Sequence, residues 1–400
     1  MGEDMSRRLF DNKAECTGCT ACFATCPVKA IRMVPDEEGF LYPQIQKELC
    51  IHCGKCDRVC PQKEERSQRN APSFYAVKHE DSTIREKSSS GGFFSLLAQY
   101  VEEKKGVIYG AAFDDEFVVR HMRAETESKW KRFRTSKYVQ SDLGDTIAQV
   151  KCDLEQERMV LFTGTPCQVD GLKRALKGNK YLDWLVTCDV VCHGVPSPKV
   201  WMDWLAFIKK HKNIEIDRIN FRDKEHVGWH DSTITIWDKN GEICLKEKQN
   251  EAIFSRLFFD HYIVRPSCFH CKYSNLNRPG DITIGDFWGV EKCFPEFDDN
   301  MGISLVLCNT IKGKNLFHAV RHQMATVKLE QFQCMQPALE TNYQKPEGRD
   351  YFWEWYISAG LASTLQIMGY VKSNWRTRLN AYAKRMIHRL VWDRNKKKDG

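Results

Sequence analysis

Short apolar runs alternate with amphipathic stretches along the middle of the chain. The runs Met159–Phe162 and Leu185–Cys192 are typical of buried strands, and each leads through a loop into residues whose apolar positions have helical spacing. A strand, a loop and a helix repeated in this way predict an α/β layer. We expect the loops after the two strands to meet at one edge of a sheet.

Further runs have the composition of strands that are joined by turns. Asn240-Gly241 is a two-residue hairpin signal between two of these runs. We expect strands within 30–33, 39–43, 74–77, 106–113, 117–121, 218–221, 232–237, 242–245, 278–289 and 302–308. Some of them follow helices and others follow tight turns, so the predicted sheet is mixed.

Composition changes along the chain predict four segments. A charged linker over Gln62–Pro72 ends the first segment, and aromatic residues become frequent after Pro337. The predicted segments are 1–63, 73–150, 151–335 and 336–400.

The overall composition limits the environment and the partners. The 400 residues include 18 cysteines, and free thiolates that serve as metal ligands indicate a reducing, cytoplasmic compartment. No apolar stretch reaches about eighteen residues, so we expect no membrane span. Much of the net charge of +7 lies near the carboxyl end of the sequence, which argues against nucleic acid as a partner.

Two cysteine runs near the start carry the strongest chemical signal. Both read C-x2-C-x2-C-x3-C-P, from Cys16 to Pro27 and from Cys50 to Pro61. This is the spacing of bacterial two-cluster ferredoxins, in which the fourth cysteine of each run serves the other cluster. We therefore assign one [4Fe-4S] cluster to Cys16, Cys19, Cys22 and Cys60, and the second to Cys50, Cys53, Cys56 and Cys26.

Zinc and disulfide bonds explain these runs less well. Structural zinc takes one tetrahedron of four ligands, usually from two C-x2-C pairs, whereas each run here supplies four cysteines and ends in Cys-Pro. Disulfide frameworks suit small secreted domains, and a chain of 400 residues is not one.

A serine–glycine segment precedes a predicted helix. Ser88, Ser89, Ser90, Gly91 and Gly92 come before apolar residues at helical spacing. One interpretation is a cradle for the pyrophosphate of a dinucleotide, because glycines allow close approach and helix starts bind phosphate. The other is a plain helix that the serines cap.

Four later cysteines form a candidate third metal site. Cys167 and Cys192 follow two predicted strands, and Cys268 and Cys271 form a C-x2-C pair. Four thiolates that meet at the sheet edge would hold a further [4Fe-4S] cluster. Alternatively, the first two are small buried apolar residues and only the pair binds metal. Cys188 is a candidate in place of Cys192.

Six motifs in order make the sequence resemble the beta subunits of coenzyme F420 hydrogenase and dehydrogenase, with a ferredoxin domain fused in front. The motifs are the two cysteine runs taken together, Ser-Ser-Ser-Gly-Gly (88–92), Gly-Thr-Pro-Cys-Gln (164–168), Cys-His-Gly-Val-Pro-Ser-Pro (192–198), Cys-x2-Cys-Lys-Tyr (268–273) and Gly-Asp-Ile-Thr-Ile-Gly-Asp-Phe-Trp-Gly (280–289). The resemblance covers roughly residues 10 to 335.

The resemblance implies a fold and a set of cofactors. The expected fold is an α+β ferredoxin-like dicluster domain, then an α/β flavin-binding-type domain with a mixed sheet and a helical basic tail. By analogy, the segment 88–92 contacts FAD pyrophosphate, Lys137, Asp286 and Trp288 surround the flavin, and Cys167, Cys192, Cys268 and Cys271 hold the third cluster.

The expected function is therefore that of an oxidoreductase, an iron–sulfur flavoprotein. It exchanges electrons with a ferredoxin or a partner redox enzyme, and a hydride with a small molecule. His193 is a candidate proton donor or a support for its neighbouring ligand. No nickel or molybdenum ligands are recognised, and the fused arrangement resembles bacterial relatives associated with surface polysaccharide biosynthesis. The alternative is an electron-transfer module without flavin that serves a partner enzyme.

The end of the sequence predicts a basic amphipathic helix. Its apolar positions recur at steps of three and four residues, at Trp375, Leu379, Tyr382, Met386 and Leu390. Such a helix lies on an anionic membrane surface or docks on its own domain.

Overall fold

The two cysteine runs lie in a small amino-terminal lobe. The structure, a computed structural model, describes residues 9–68, 70–334 and 336–372, together with 383 and 386. The lobe contains α1 (Ala21–Thr25), β1 (Ile31–Pro35), β2 (Leu41–Ile45) and α2 (Lys55–Val59), and its two strands are antiparallel. The strands begin one or two residues later than predicted, since the Asp36 carboxylate holds the turn between them by accepting the N–H groups of Glu38 and Phe40.

A mixed sheet forms the centre of the large lobe. Within the described residues, eight strands pair in the order β13-β3-β12-β11-β7-β6-β4-β5. The pairs β4–β6, β6–β7 and β7–β11 are parallel and the others are antiparallel. The strands are β3 (Ser73–His79), β4 (Val107–Phe113), β5 (Val119–Ala124), β6 (Val160–Gly164), β7 (Leu185–Val190), β11 (Ile282–Asp286), β12 (Ser304–Cys308) and β13 (Met324–Leu329). The predicted α/β domain with a mixed sheet is confirmed.

Three further strands form a separate antiparallel sheet. They are β8 (Ile216–Asp223), β9 (Thr233–Asp238) and β10 (Ile243–Lys248), in the order β10-β9-β8. The last two are joined through Asn240-Gly241, where Gly241 has a φ of +82° that favours glycine.

Helices cover both faces of the large sheet and also pack on the smaller sheet. They are α3 (Ser82–Glu86), α4 (Phe93–Glu103), α5 (Glu127–Trp130), α6 (Thr146–Glu155), α7 (Pro166–Ala175), α8 (Pro198–Lys212), α9 (Ile253–Phe259), α10 (Val290–Cys293), α11 (Ile311–Val320), α12 (Pro337–Glu340) and α13 (Arg349–Ile367). Ile108 and Leu161 pack with α4 and α11 on one face, while Val107 and Phe162 pack with α6 and α7 on the other. This alternation follows the two-residue period of side chains on a strand.

The predicted segments 73–150 and 151–335 both contribute strands to the large sheet. Residue 150 lies within α6, and β4 from the first segment pairs with β6 from the second. The two segments therefore share one core, and the division between them stays a prediction about the sequence.

The aromatic residues after Pro337 dock on the large lobe. Phe352, Trp353 and Tyr356 of α13 are buried in the core that includes α8, and the Tyr356 hydroxyl donates a hydrogen bond to Asp203 Oδ2. The predicted basic helix over 375–390 lies outside the described residues, apart from Met386 and position 383. Among the described helices, none has the length and apolar character needed to cross a membrane.

Candidate functional site

The structure brings together four thiols in the small lobe. Burial raises the pKa of Cys22 well above its usual value, and the neighbouring thiols of Cys19, Cys16 and Cys60 raise it further. These are the four residues assigned to the first cluster. Of the second set, Cys26, Cys50 and Cys56 are half-buried against an apolar group formed by Leu9, Ile31 and Ile45, and Cys53 is exposed.

Polar hydrogens point at some of these sulfurs. The Ala30 N–H lies 3.2 Å from Cys26 Sγ, and Arg265 Nη2 lies 3.8 Å from Cys16 Sγ. Hydrogen bonds to the ligand sulfurs are among the factors that set the reduction potential of an iron–sulfur cluster. Among the described residues, no group of His, Cys, Asp or Glu is arranged to hold a single metal ion. A [4Fe-4S] cluster needs four thiolates around a much larger body, and the donor set of the lobe fits that requirement.

The small lobe packs closely on the large lobe at α7. A Cβ added to Gly171 would lie 2.8 Å from Cys19 Cβ and 2.9 Å from its Sγ, so this position has room for glycine only. Gln140 Nε2 donates to the Thr17 carbonyl, 3.0 Å away. Arg349 pairs with Glu38, which adds an ion pair between the lobes. The first set of thiols therefore lies directly against the large lobe.

The four later cysteines also meet. Burial raises the pKa of Cys268 well above its usual value, and the thiols of Cys192, Cys271 and Cys167 raise it further. Cys167 lies at the start of α7 after β6, and Cys192 lies in the loop after β7. Since the two strands are parallel and adjacent, their carboxyl ends place both loops at one edge of the sheet.

The alternative ligand Cys188 lies elsewhere. It is fully buried in the core between the sheet and α4, with the thiol of Cys308 among its neighbours. The strand β7 ends at Val190, two residues earlier than its apolar run predicted, so Cys192 belongs to a loop.

The two groups of thiols are neighbours. Cys167 and Cys60 are both among the thiols that raise the pKa of Cys19, after burial as the main cause. Cys19 thus stands between the first set in the small lobe and the later group in the large lobe.

A buried ion pair that the sequence did not reveal fixes the loop that carries Cys271. Arg278 donates to Asp189 Oδ1 at 2.7 Å, and both side chains are fully buried. The same guanidinium donates to the carbonyls of Tyr273 and Val190. Arg278 thereby ties the cysteine loop to the end of β7.

A cavity of about 550 Å³ opens at the same edge of the sheet. Its wall includes Cys192, His193 and Gly194, so the cavity lies beside the later cysteine group. Most of the residues predicted to contact the flavin line it, namely Ser88–Ser90, Gly92, Lys137, Asp286 and Trp288. Gly91 does not: its N–H donates to Ser304 Oγ, and a Cβ there would lie 2.3 Å from the Val77 carbonyl.

The prediction that serines cap α4 is wrong. The helix begins at Phe93 after Gly92, whose φ is +87°, and no side chain caps it. Ser88 donates to the Ile84 carbonyl, Ser90 donates to the Ile303 carbonyl, and Ser89 Oγ accepts the Ser136 N–H. Gly92, Phe93 and Phe94 line the cavity, so the uncapped first turn of α4 lies at its wall.

Lys137 lies on the wall of the cavity. Burial, and to a smaller extent the nearby Arg132, lower its pKa to about 7. Its Nζ donates to the carbonyls of Arg132 and Thr135. At neutral pH this lysine is therefore divided between its charged and neutral forms.

Another part of the wall combines an arginine with stacked aromatic rings. Trp288 stacks on Trp229 with ring centroids 4.5 Å apart, and Trp229 Nε1 donates to Asp286 Oδ1. Arg222 Nη1 donates to the other carboxylate oxygen of Asp286, 3.0 Å away. Arg222 is 5% exposed, and its Nη2 has no hydrogen-bond partner within the described residues. The sequence predicted Asp286 and Trp288 but not the residues that hold them.

His193 packs against a second histidine at the cavity. Its Nε2 lies 3.0 Å from His261 Nε2, and the rings are stacked. Burial lowers the pKa of His193 to about 4, with His261 as a smaller cause. The imidazole is therefore neutral at neutral pH.

Comparisons with known proteins agree with this organisation. Residues 157–331 match the family described as the C terminus of the coenzyme F420 hydrogenase/dehydrogenase beta subunit, and residues 15–63 match the 4Fe-4S dicluster domain. The F subunit of the F(420)H(2) dehydrogenase from Methanosarcina mazei is 21% identical over 326 residues, which are 77% of this chain and 83% of the relative. The VorC subunit of ketoisovalerate oxidoreductase from Methanothermobacter marburgensis is 36% identical over 53 residues, which are 13% of this chain and 67% of the relative.

A solved structure is also similar. It is a chain of the F420-reducing [NiFe] hydrogenase complex from Methanosarcina barkeri, with 17% identity and a TM-score of 0.46, and the match covers 67% of this chain and 86% of that one. The family matches agree with the cysteine pattern and with the resemblance read from the motifs. Residues 157–331 therefore belong to the family of coenzyme F420 hydrogenase/dehydrogenase beta subunits, and residues 15–63 form a 4Fe-4S dicluster domain whose chemistry is iron–sulfur electron transfer.

Proposed function

We propose that the protein is an iron–sulfur flavoprotein oxidoreductase that passes electrons between [4Fe-4S] clusters and FAD, to or from an organic hydride carrier or substrate. Electron transfer by the dicluster domain is the established part. With a third cluster and a flavin, the protein would also act as an enzyme on an organic molecule.

One observation carries the proposal. Cys192 belongs to the later group of four thiols and also lines the cavity. Cys19 of the small lobe in turn neighbours Cys167 of that group. Cysteine sulfurs therefore neighbour one another from the small lobe to the cavity wall, which is the arrangement that electron transfer to a bound organic cofactor needs.

The later group has the donor set of a [4Fe-4S] cluster, four cysteine thiols. Cys167, Cys192, Cys268 and Cys271 would hold it. Thr165 Oγ1 lies 3.2 Å from Cys167 Sγ, within hydrogen-bond distance of that sulfur. All four residues are partly buried, which limits the contact of the site with water.

The cavity offers groups that suit FAD. The uncapped first turn of α4 and the Lys137 ammonium would bind its diphosphate, since both favour negative charge. The Trp288 ring, which is 43% exposed on the cavity wall, would contact its ring system. FAD bound there would accept electrons singly and exchange a hydride with an organic molecule.

Aromatic side chains close the wall nearest Cys192. Phe258 and Phe259 pack edge-on against His193, and Tyr343 packs on the same imidazole. These rings form an apolar part of the cavity wall beside His193, the residue that follows Cys192. They also hold His193 in a neutral state, so it presents no charge to a bound flavin.

Anaerobic purification tests the proposal directly. We expect about twelve iron atoms per chain, at four for each of three clusters, and a flavin absorption band that bleaches with dithionite. About eight iron atoms would contradict the presence of a third cluster. A broad cluster band without a flavin band would favour the alternative function, an electron-transfer module for a partner enzyme.

A cysteine variant separates these outcomes. Cys268→Ser should remove about four of the twelve iron atoms, whereas Cys244→Ser on β10, remote from both cysteine groups in the sequence and outside the cavity wall, should remove none. An unchanged iron count in Cys268→Ser contradicts the ligand assignment.

The organic partner is proposed only as a class. Reduced deazaflavin, NADH and ferredoxin are the donors to compare, each assayed by bleaching of the flavin band. A role in surface polysaccharide biosynthesis and contact of the basic tail with a membrane stay predictions from the sequence.

A further inference from the structure

Arg265 is a buried cation between the two lobes. Its side chain is 0% exposed. Its Nε donates to the Cys16 carbonyl at 2.8 Å, Nη1 to Gln140 Oε1 at 2.9 Å, and Nη2 to the Leu41 carbonyl at 3.0 Å, with Cys16 Sγ 3.8 Å from Nη2. Arg265 is contributed by the large lobe, three residues before Cys268, yet most of its partners are in the small lobe.

The charge of Arg265 has no carboxylate partner. Within the described residues, no Asp or Glu lies at ion-pair distance from it, and its polar contacts are neutral groups and the sulfur of Cys16. The other deeply buried arginines differ, since Arg278 pairs with Asp189 and Arg349 with Glu38. A buried charge without a counter-charge is strongly unfavourable, so a negative group is expected beside Arg265.

We propose that Arg265 is the counter-ion of the first [4Fe-4S] cluster, the one held by Cys16, Cys19, Cys22 and Cys60, and that it raises the reduction potential of this cluster. The inference rests on the proposed assignment of Cys16 as a cluster ligand. A cluster with four thiolates carries net negative charge, and reduction adds one electron to it. A fixed positive charge stabilises the reduced form more than the oxidised form.

The surroundings keep this interaction strong. The rings of Tyr42 and Phe40 lie 4.2 Å and 5.3 Å from the guanidinium carbon and shield it from water. A Cβ added to Gly18 would lie 2.9 Å from Nη1, so the cysteine loop is packed against the charge. In such a water-poor site, charges interact over longer distances and with less screening than at the surface.

The position of Arg265 also distinguishes the two dicluster sites. Its Nη2 lies 3.8 Å from Cys16 Sγ, the sulfur of a ligand assigned to the first cluster. None of its hydrogen bonds reaches the second set, Cys26, Cys50, Cys53 and Cys56. The charge of Arg265 therefore acts mainly on the first cluster, which is the one beside the large lobe.

A redox titration of the anaerobic, cluster-loaded full chain tests the inference. Dithionite with mediators supplies the electrons, and electron paramagnetic resonance follows each reduced cluster. Arg265→Gln keeps hydrogen-bond donors but removes the charge. We expect the equilibrium constant for reduction of one of the two dicluster-domain clusters to fall at least about tenfold, which lowers its reduction potential by about 59 mV for a one-electron couple. The potential of the other cluster should not change.

Two further variants provide controls. Arg265→Lys keeps a charge and should shift the same signal less than Arg265→Gln does. Lys63→Gln removes a solvent-exposed cation that acts on Cys60 and Cys56, and screening should leave both potentials near those of the wild type. Unchanged potentials in a fully loaded Arg265→Gln protein overturn the inference.

A variant that keeps Arg265 tests the inference even if the Arg265 variants fail to assemble the cluster. Gln140→Glu places a carboxylate beside Nη1 and offsets the charge, so it should lower the same potential, and no shift there also overturns the inference. The iron count and the flavin band, measured on the same samples, test the proposed function separately. Eight irons or no flavin would reject that function and leave the result on Arg265 standing.

Discussion

The α-carbon of Gly171 faces the sulfur of Cys19 so closely that a Cβ at position 171 would lie 2.9 Å from it. The contact joins α7 of the large lobe, which also carries Cys167, to the cysteine loop of the small lobe. One glycine thus sets how near the first set of thiols comes to the later group.

Gly171→Ala should separate the two lobes locally. The added methyl overlaps Cys19 Cβ and Sγ, and overpacking of this kind costs about 1–3 kcal/mol of stability. We expect a lower anaerobic unfolding temperature and partial loss of iron from the first cluster, measured by iron content. Gly171→Val should have a larger effect. A fully loaded valine variant of wild-type stability would mean that the lobes do not pack as described.

Truncation of Arg278, which is paired with Asp189 in the protein interior, should lower the stability of the protein more than truncation of an exposed ion pair. Arg278→Met leaves a carboxylate buried without its cation, a change that typically costs about 3–5 kcal/mol. The measurement is the free energy of unfolding, together with the iron count, because the same arginine positions the loop of Cys271. The matched control is Lys248→Met, which breaks an exposed pair with Asp231 and should cost at most about 1 kcal/mol.

The depressed pKa of Lys224 predicts a pH dependence of stability. This buried lysine donates to the carbonyls of Arg85, Ser90 and Met301, and burial lowers its pKa from 10.5 to about 7. Between pH 7 and 10.5 the unfolded chain binds more protons at this residue than the folded chain, so its contribution to stability increases as the pH rises.

The comparison of variants isolates that contribution. Lys224→Met should flatten the rise in unfolding temperature between pH 7 and 9 relative to the wild type, and Lys151→Met, on an exposed helix face, should not. The other titratable groups are common to all three proteins. Equal pH profiles of Lys224→Met and the wild type would show that folding does not lower the pKa of Lys224.

Trp288 is expected to retain the flavin. It is 43% exposed on the cavity wall, and its ring is held parallel to Trp229. Trp288→Ala should lower flavin affinity by roughly tenfold, since a base-sized stacking contact contributes about 1–3 kcal/mol. Flavin fluorescence gives the affinity, and iron content should not change. Trp184→Ala is the matched control, because Trp184 is similarly exposed at 46% but is not part of the cavity wall. Equal loss of flavin in both variants would exclude a contact at Trp288.

How far the sequence predicts this molecule depends on the distance between partners in the chain. Cysteine spacing and apolar periodicity are local signals, and they predicted the dicluster lobe and the mixed sheet, both confirmed. The end of β7 was placed two residues late, because Val191 and Cys192 are apolar although they lie in a loop. Apolar character alone does not distinguish a strand residue from a buried loop residue.

The supporting residues of the site were not predictable in the same way. Arg222 meets Asp286 across 64 positions, and Arg278 meets Asp189 across 89. Nothing local marks either arginine, since both depend on the sheet order for their partners. The serine run shows the converse case: its local pattern allowed a helix cap as one of two interpretations, but the hydroxyls bond to Ile84, Ile303 and Ser136 instead. Tertiary contacts there outweigh the local preference.

Cys192 and Cys188 provide the sharpest test of the later cysteine group, because they are four positions apart and differ in surroundings. Cys192 neighbours Cys167 and Cys271 and lines the cavity, whereas Cys188 packs in the apolar core beside α4. Cys192→Ser should therefore remove about four iron atoms and slow flavin reduction by dithionite-reduced ferredoxin. Cys188→Ser should keep all the iron and only lower stability, because it places a hydroxyl in an apolar site. The reverse result would move the ligand to Cys188 and separate the cluster from the cavity, since β7 would then have to shift so that a core residue reached the sheet edge.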